Sequence, residues 1–198
     1  MKDFIFIIGP SAVGKTTLAK RLQEHYQGVY IEQNMVPEFS IPSNVEDEGV
    51  YEENLCWENT IMQIEWFRNK GYKNIIALDF DDLRTRELPQ IFKGTDFITL
   101  KLITSNFNQL KNQMEKRHKE GYGLYVEDYD NRSNDRIANR PLLPNEYIID
   151  VNGKDADAVF NEAIKIIDNA KILKVYDYTL PDKNLFESWV KSNNLSLK

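Results

Sequence analysis

Residues 9 to 16 read Gly9-Pro10-Ser11-Ala12-Val13-Gly14-Lys15-Thr16 and match the pattern G-x-x-x-x-G-K-[ST] at every fixed position. The glycines at both ends let backbone N–H groups curl inward around an oxyanion. Lys15 adds a mobile positive charge, and the hydroxyl of Thr16 is a ligand for Mg²⁺. We therefore expect this stretch, together with Thr17, to bind the phosphates of a nucleotide.

The sequence on either side of this stretch supports the same interpretation. Residues 4–8 form a continuous apolar run, which is typical of a parallel strand buried on both faces. Downstream, apolar residues recur at helical spacing from Leu18 to Tyr26. A loop between a buried strand and a helix presents the positive helix N-terminus to a bound phosphate.

Composition indicates one soluble globular domain. The chain has 198 residues, of which 41% are hydrophobic and 28% charged, so wholesale disorder is not indicated. With 25 Lys and Arg against 31 Asp and Glu, the net charge of -6 argues against a broad grip on nucleic acid. No apolar stretch is long enough to span a bilayer. A small-molecule partner fits these numbers better.

The single cysteine, Cys56, lies beside Trp57 in an apolar setting. One cysteine cannot form an intramolecular disulfide, so we expect a reduced thiol in the core and a cytoplasmic protein. The apolar run at residues 4–8 is too short for a signal peptide.

Polar residues follow the second expected strand, residues 28–31. Because ligands bind outside the carboxyl ends of strands in an open α/β sheet, Glu32, Asn34 and Glu38 are candidates to line the pocket of a phosphate acceptor. The alternative is that they are solvated loop residues. Residues 40–52 are expected to be a loop without periodicity.

The third expected strand, residues 74–79, ends in Asp79. A carboxylate at this point would hold Mg²⁺ opposite Thr16, whereas a purely structural strand end is the alternative. Asp81 remains open between the two roles.

Composition changes between residues 120 and 144, where glycines, tyrosines and acidic residues precede three arginines. Arg132, Arg136 and Arg140 would occupy one stripe of a helix. Guanidinium groups suit a triphosphate and the charge that develops during phosphoryl transfer, and salt bridges to neighbouring acids are the alternative. We expect this segment to be a lid that closes on hinges at Gly121 and Gly123.

The remaining pattern predicts a further series of helices and strands. Strands are expected at residues 97–103 and 146–151, and helices at 53–69, 83–92, 106–119 and from 155 onward. Asn59 and Gln63, one turn apart, either bind substrate or are ordinary exposed helix polars, and His118 is interpreted as solvated. Residues 171–198 are expected to form an appendage that covers the core or joins a partner, including a second copy in a homodimer.

In this order of elements, residues 3–170 resemble the phosphate-loop kinases, the family of nucleoside and nucleotide kinases and shikimate kinase. The resemblance implies an α/β fold of three layers, with a five-stranded, mainly parallel sheet and the second and third strands on one side of the first. It also implies ATP and Mg²⁺ in the loop and a lid that supplies arginines, with Arg117 matching the one that precedes the lid. The resemblance is an analogy for function.

The sequence departs from the family at the acceptor side. Residues 79–84 read Asp-Phe-Asp-Asp-Leu-Arg where nucleoside monophosphate kinases have Asp-Gly-[Phe/Tyr]-Pro-Arg. Residues 36–38, Val-Pro-Glu, look slightly like the segment that carries the base of deoxynucleoside kinases.

Two functional hypotheses follow. The first is a small-molecule kinase in which Lys15, Mg²⁺ and lid arginines stabilise the transferring phosphoryl group and Glu38 orients the acceptor hydroxyl. The second is a nucleotide-binding regulatory protein that hydrolyses its nucleotide poorly and has no small-molecule acceptor.

Overall fold

The computed structural model describes residues 1–33, 48–78, 81–121 and 135–180, with the backbone alone for residues 48–53. In chain order the elements within these ranges are β1 (Phe4–Ile8), α1 (Lys15–Tyr26), β2 (Val29–Glu32), α2 (Glu48–Asn69), β3 (Ile75–Leu78), α3 (Asp82–Thr85), α4 (Leu88–Ile91), β4 (Phe97–Ile103), α5 (Phe107–Lys119), β5 (Glu146–Asp150) and α6 (Ala156–Asn169). Residues 135–139, between α5 and β5, are also helical. No helix in these ranges is long and apolar enough to cross a membrane.

The strands form one parallel sheet in the order β2-β3-β1-β4-β5. β1 pairs with β3 and β4, so Phe4 lies beside Ile75 on one side and Phe97 on the other. The carboxyl ends of the strands meet at one edge, and the loop after β1 opens at the middle of that edge. The expectation that the second and third strands lie on the same side of the first is confirmed.

Helices cover both faces of the sheet, which explains the uninterrupted apolar run of β1. Its five residues are at most 1% exposed. Ile5 and Ile7 pack in the core shared with α1, α5 and α6. Phe4, Phe6 and Ile8 pack in the core shared with α2 and α4. The three-layer α/β architecture predicted from the sequence is therefore confirmed.

The structure corrects three expectations, two about the bounds of helices and one about the burial of Cys56. The helix expected at residues 83–92 is split into α3 and α4, because Pro89 has no N–H to continue the hydrogen-bond ladder and lies instead in the first turn of α4. α2 begins at Glu48, earlier than residue 53. Cys56 is only partly buried, since α2 directs Trp57 into the core.

Residues 171–180 form an irregular segment, here called the strap, that leads away from α6. The backbone of the strap exchanges two hydrogen bonds with the side chain of Asn145, just before β5. Further along, the hydroxyls of Tyr176 and Tyr178 donate to backbone carbonyls of the α3–α4 segment at 2.6 and 2.7 Å. The strap thereby joins β5 to the chain that follows β3.

Candidate functional site: a phosphate-binding loop at the sheet edge

The loop between β1 and α1 contains three residues with positive φ. These angles are 151° at Gly9, 61° at Ala12 and 102° at Gly14. A Cβ at position 9 would lie 2.5 Å from the carbonyl oxygen of Leu102 in β4, so only glycine fits there. At Gly14 the space is open and the backbone angle alone favours glycine. Backbone of this kind turns N–H groups toward one concave side, which suits an anion.

Lys15, the first residue of α1, folds back over this loop. Its Nζ donates to the carbonyl oxygens of Gly9 at 3.1 Å and Pro10 at 3.0 Å. Hydrogen bonds from an ammonium to a phosphate are stronger than those to a neutral carbonyl, so an incoming phosphate would compete for the same protons. The sequence prediction for Lys15 is consistent with this position at the mouth of the loop.

Thr16 and Glu32 meet beside the loop although they are far apart in the chain. The hydroxyl of Thr16 donates to Oε1 of Glu32 at 3.2 Å, and the hydroxyl of Tyr30 donates to Oε2 of the same carboxylate at 2.7 Å. Glu32 ends β2, so the sheet edge brings its carboxylate to the start of α1. Hydroxyl and carboxylate oxygens are the ligands that Mg²⁺ prefers.

A cleft of about 270 Å³ opens next to the loop, on the face of the sheet covered by α1, α5 and α6. Apolar walls with a few polar groups are typical of sites that take a planar ring. Its polar lining residues are Thr17, Thr104, Gln109, Gln113, Lys154 and Asp155. The cleft therefore adjoins the loop and has the mixed apolar and polar lining of a small-molecule site.

A second group of charged residues is here called the ionic cluster. It combines two residues that follow β3 with three at or just before the start of β5: Asp81, Asp82, Arg136, Arg140 and Glu146. Arg140 is at its centre, with Nε 2.6 Å from Oδ1 of Asp82 and two further hydrogen bonds of 2.6 and 2.7 Å to the carboxylate of Glu146. The carboxylates of Asp82 and Glu146 are fully buried and the guanidinium side chain is 6% exposed. Burial opposes the charge on Arg140, but its two carboxylate partners raise its pKa overall.

Arg136 lies one helical turn before Arg140 and contacts the more open side of the cluster. One of its terminal nitrogens is 3.2 Å from Oδ2 of Asp81, and its Nε is 3.9 Å from Oδ2 of Asp82. Burial raises the pKa of Asp81, and the nearby Arg136 offsets this only in part. Arg136 keeps a quarter of its side chain exposed, whereas Arg140 is enclosed.

Comparison with solved structures relates this geometry to known proteins. A sugar kinase from Janibacter sp. HTCC2649 matches with a TM-score of 0.61 at 17% identity, over 86% of this chain and 96% of its own. A gluconokinase from Sinorhizobium meliloti 1021 matches with a TM-score of 0.57 at 14% identity, over 83% and 90%. The shikimate kinase from Acinetobacter baumannii in complex with shikimate matches with a TM-score of 0.52 at 17% identity, over 85% and 95%. No protein-family model and no curated protein matches the sequence.

The chain has the fold of the phosphate-loop kinases. The likeness extends over 90 to 96% of the length of each neighbour. Identities of 14 to 17% show the fold and leave the acceptor open.

Within this phosphate-loop kinase fold, the predicted site residues have different locations. Of the predicted loop residues, Ala12, Val13, Gly14 and Thr17 line the cleft. Lys15 contacts the loop backbone and Thr16 contacts Glu32, and Arg117 is exposed in the last turn of α5. Arg136 lies in the ionic cluster. Four further candidates, Asn34, Glu38, Asp79 and Arg132, lie outside the described residues, as do residues 122–134 of the segment predicted to be a lid.

Contacts bear on two open alternatives. Asn59 and Gln63 are both partly buried, and Nε2 of Gln63 donates to Oδ1 of Asn59 at 2.8 Å, so the choice between a substrate contact and ordinary helix polars stays open. Of the three arginines predicted to share a helix stripe, Arg140 forms salt bridges with Asp82 and Glu146, which is the alternative to phosphate binding.

Sequence reasoning missed several residues that the phosphate-loop kinase fold brings to the site. Gln109 and Gln113 were not singled out, although two amides one turn apart on a helix that follows a strand end are a recognisable signal. The contact of Thr16 in α1 with Glu32 in β2 depends on where β2 lies in the sheet, which no local pattern reveals.

Proposed function

We propose that this protein is an ATP-dependent phosphotransferase that moves the γ-phosphate of Mg·ATP to the hydroxyl of a small-molecule acceptor. The observation that carries the proposal is the loop at residues 9–16, with its positive-φ backbone and the ammonium of Lys15 at its mouth. The three structural neighbours described above are a sugar kinase, a gluconokinase and a shikimate kinase, which supports a kinase over other nucleotide-binding functions. The net charge of -6 supports a small acceptor over nucleic acid.

The described residues fit Mg·ATP. Loop N–H groups and Lys15 would hold the β and γ phosphates, and the cleft beside the loop would take the base. Thr16 and Glu32 supply hard oxygen ligands, and Mg²⁺ usually takes only one or two protein carboxylates besides phosphates and water. Mg²⁺, when bound, neutralises charge on the phosphates. Asp79 is proposed as a further ligand of the metal.

Phosphoryl transfer needs little covalent help from a protein, so catalysis rests on positioning and electrostatics. Lys15 would stabilise the charge that grows on the leaving phosphate oxygen. Arg136 would reach the transferring group from the other side of the sheet edge, exchanging its contact with Asp81 for phosphate oxygens.

Other roles are proposed from the sequence pattern. Glu38 would orient the acceptor hydroxyl, and Arg117 and Arg132 would add positive charge when residues 120–144 close as a lid. Closure would exclude water, which otherwise takes the phosphoryl group.

The test is transfer of labelled γ-phosphate from ATP to a panel of hydroxyl metabolites, with the full chain and Mg²⁺. We expect one acceptor class to be phosphorylated and Lys15→Ala and Thr16→Ala each to lower turnover at least about a hundredfold. Lys20→Ala is the matched control, because Lys20 is exposed on α1 and should leave turnover unchanged.

Two results would contradict the proposal. Unchanged ATP affinity and turnover in both loop variants would show that the loop does not bind phosphate. Tight Mg·ATP binding without transfer to any acceptor would favour the regulatory nucleotide-binding alternative.

A further inference from the structure

Four residues spaced one turn apart form a stripe on the outward side of α2, here called the α2 stripe: Glu58, Met62 and Trp66 in the helix, and Lys70 directly after its last residue. Met62 is 69% exposed and Trp66 is 55% exposed, although the opposite face of the same helix buries Trp57 and Ile64. Single exposed apolar residues are ordinary, but two large ones on successive turns form a continuous patch. Because they point away from the core, packing among the residues that the structure describes does not explain them.

Charge is distributed unevenly along this stripe. An acidic residue, Glu58, lies at its N-terminal end, and a basic residue, Lys70, lies at its C-terminal end. The four residues extend over about 18 Å of helix. A surface that is acidic at one end, apolar in the middle and basic at the other is complementary to itself when reversed.

We propose that α2 packs against α2 of a second copy of this chain, in antiparallel orientation across a two-fold axis. Centred on position 64, this register places Met62 against Trp66 of the second copy and Glu58 against Lys70 of the second copy. Two-fold symmetry repeats each of these contacts, so the patch needs no other partner. The inference is independent of the proposed phosphotransferase activity.

Local contacts hold the central aromatic side chain ready for such an interface. The ring of Trp66 makes an edge-to-face contact with Phe67 at 5.1 Å between centroids, and Nζ of Lys70 lies 5.5 Å from the Trp66 ring centre. A tryptophan that is already ordered loses little entropy on association, and tryptophan is enriched at the centres of interfaces. One helix pair buries less than the roughly 800 Å² per partner of a standard interface, so the dimer should dissociate in the micromolar range.

The experiment uses charge reversal on the full chain, read by sedimentation velocity over a micromolar concentration series. Glu58→Lys makes both ends of the stripe basic and Lys70→Glu makes both ends acidic. Each variant alone should raise the dimer dissociation constant roughly tenfold or more, because both symmetric pairs become repulsive. An equimolar mixture of the two should recover dimers, since every pair is then of opposite charge. Glu24→Lys, on the exposed face of α1, is the matched control.

Recovery in the mixture also shows that neither variant has simply unfolded. A wild-type chain that stays monomeric over the whole series would overturn the proposal. So would a dimer that both single variants leave unchanged, or single variants that weaken the dimer without recovery in the mixture, because each result excludes this register. Trp66→Glu should abolish association, and a dimer that persists in that variant would place the interface elsewhere.

Discussion

At the scale of single residues, the ionic cluster contains charged side chains that are buried in the protein. Asp82 and Glu146 bury their carboxylates completely, and Arg140 contacts both. The backbone carbonyl of Arg140 also accepts from Nζ of Lys101 at 3.1 Å. Burial and the nearby Arg140 lower the pKa of Lys101. Groups of this kind depend on one another, because each charge is stable in the interior only with its partners.

Arg140→Met should therefore destabilise the protein strongly. It leaves two buried carboxylates without their main cation, and removing one partner of a buried pair costs about 3–5 kcal/mol. Urea unfolding followed by circular dichroism measures the loss. Lys116→Met is the control, because Lys116 is paired with Glu120 at 3.9 Å in a largely exposed position, where a pair contributes at most about 1 kcal/mol. Equal losses in the two variants would contradict this account.

Asp81 should make stability depend on pH. Its pKa in the folded protein is raised from 3.8 by burial, so the folded state binds a proton more readily than the unfolded state does. The contribution of Asp81 to the free energy of unfolding is therefore greatest below pH 3.8 and falls as pH rises through the raised pKa. In Asp81→Asn this dependence is absent.

The free energies of unfolding of wild type and Asp81→Asn are measured from pH 3.8 upward. As pH rises, the value for the wild type should fall relative to that for the variant. A difference that moves in favour of the wild type would show that Arg136 outweighs burial at this carboxylate.

At the scale of elements, the strap links parts of the chain that no helix or strand connects. The hydroxyl of Tyr176 donates to the carbonyl of Pro89, and that of Tyr178 to the carbonyl of Arg86. Arg86 in turn pairs with Asp82 of the ionic cluster at 3.3 Å. The strap thus supports the position of α3 and α4 beside the ionic cluster.

Tyr176→Phe and Tyr178→Phe should each lower the free energy of unfolding by about 1 kcal/mol, because each removes one hydrogen bond and leaves a carbonyl without its donor. Chemical denaturation checks the size of the effect. Tyr72→Phe is the control, since Tyr72 is half exposed, and it should change stability by less than about 0.5 kcal/mol. If all three variants behaved alike, the strap would contribute no stability through its hydroxyls.

At the scale of the whole molecule, a ligand that binds only the folded chain raises its stability. Mg·ATP at a hundred times its dissociation constant should contribute about 2.7 kcal/mol, which corresponds to a rise in the unfolding midpoint of roughly 5–10 °C for a chain of this size. Differential scanning fluorimetry measures this shift.

Lys15→Ala should lose most of the shift while keeping the midpoint of the free protein, because its ammonium donates to loop carbonyls that a bound phosphate would replace. Lys20→Ala should retain the full shift. A shift of equal size in Lys15→Ala would separate ATP binding from this loop.

Much of the fold follows from local pattern. β4 occupies residues 97–103 as predicted, and α6 begins at residue 156 after the cap supplied by Asp155, whose carboxylate accepts from the N–H of Ala158. These elements are predictable because apolar periodicity and capping act between residues close together in the chain. The break between α3 and α4 also has a local signal, because Pro89 favours the first turn of a new helix.

The sequence by itself determined that residues 9–16 form a phosphate-type loop between a buried strand and a helix, because each requirement, glycine at the turns, a cation and a hydroxyl, is met by adjacent residues. Only the tertiary structure decided which distant side chains share that loop's surroundings. Glu32 reaches Thr16, and Arg140 joins Asp82 to Glu146, through strand order and sheet register. Those contacts depend on how elements pack in three dimensions, and one-dimensional spacing carries no record of that packing.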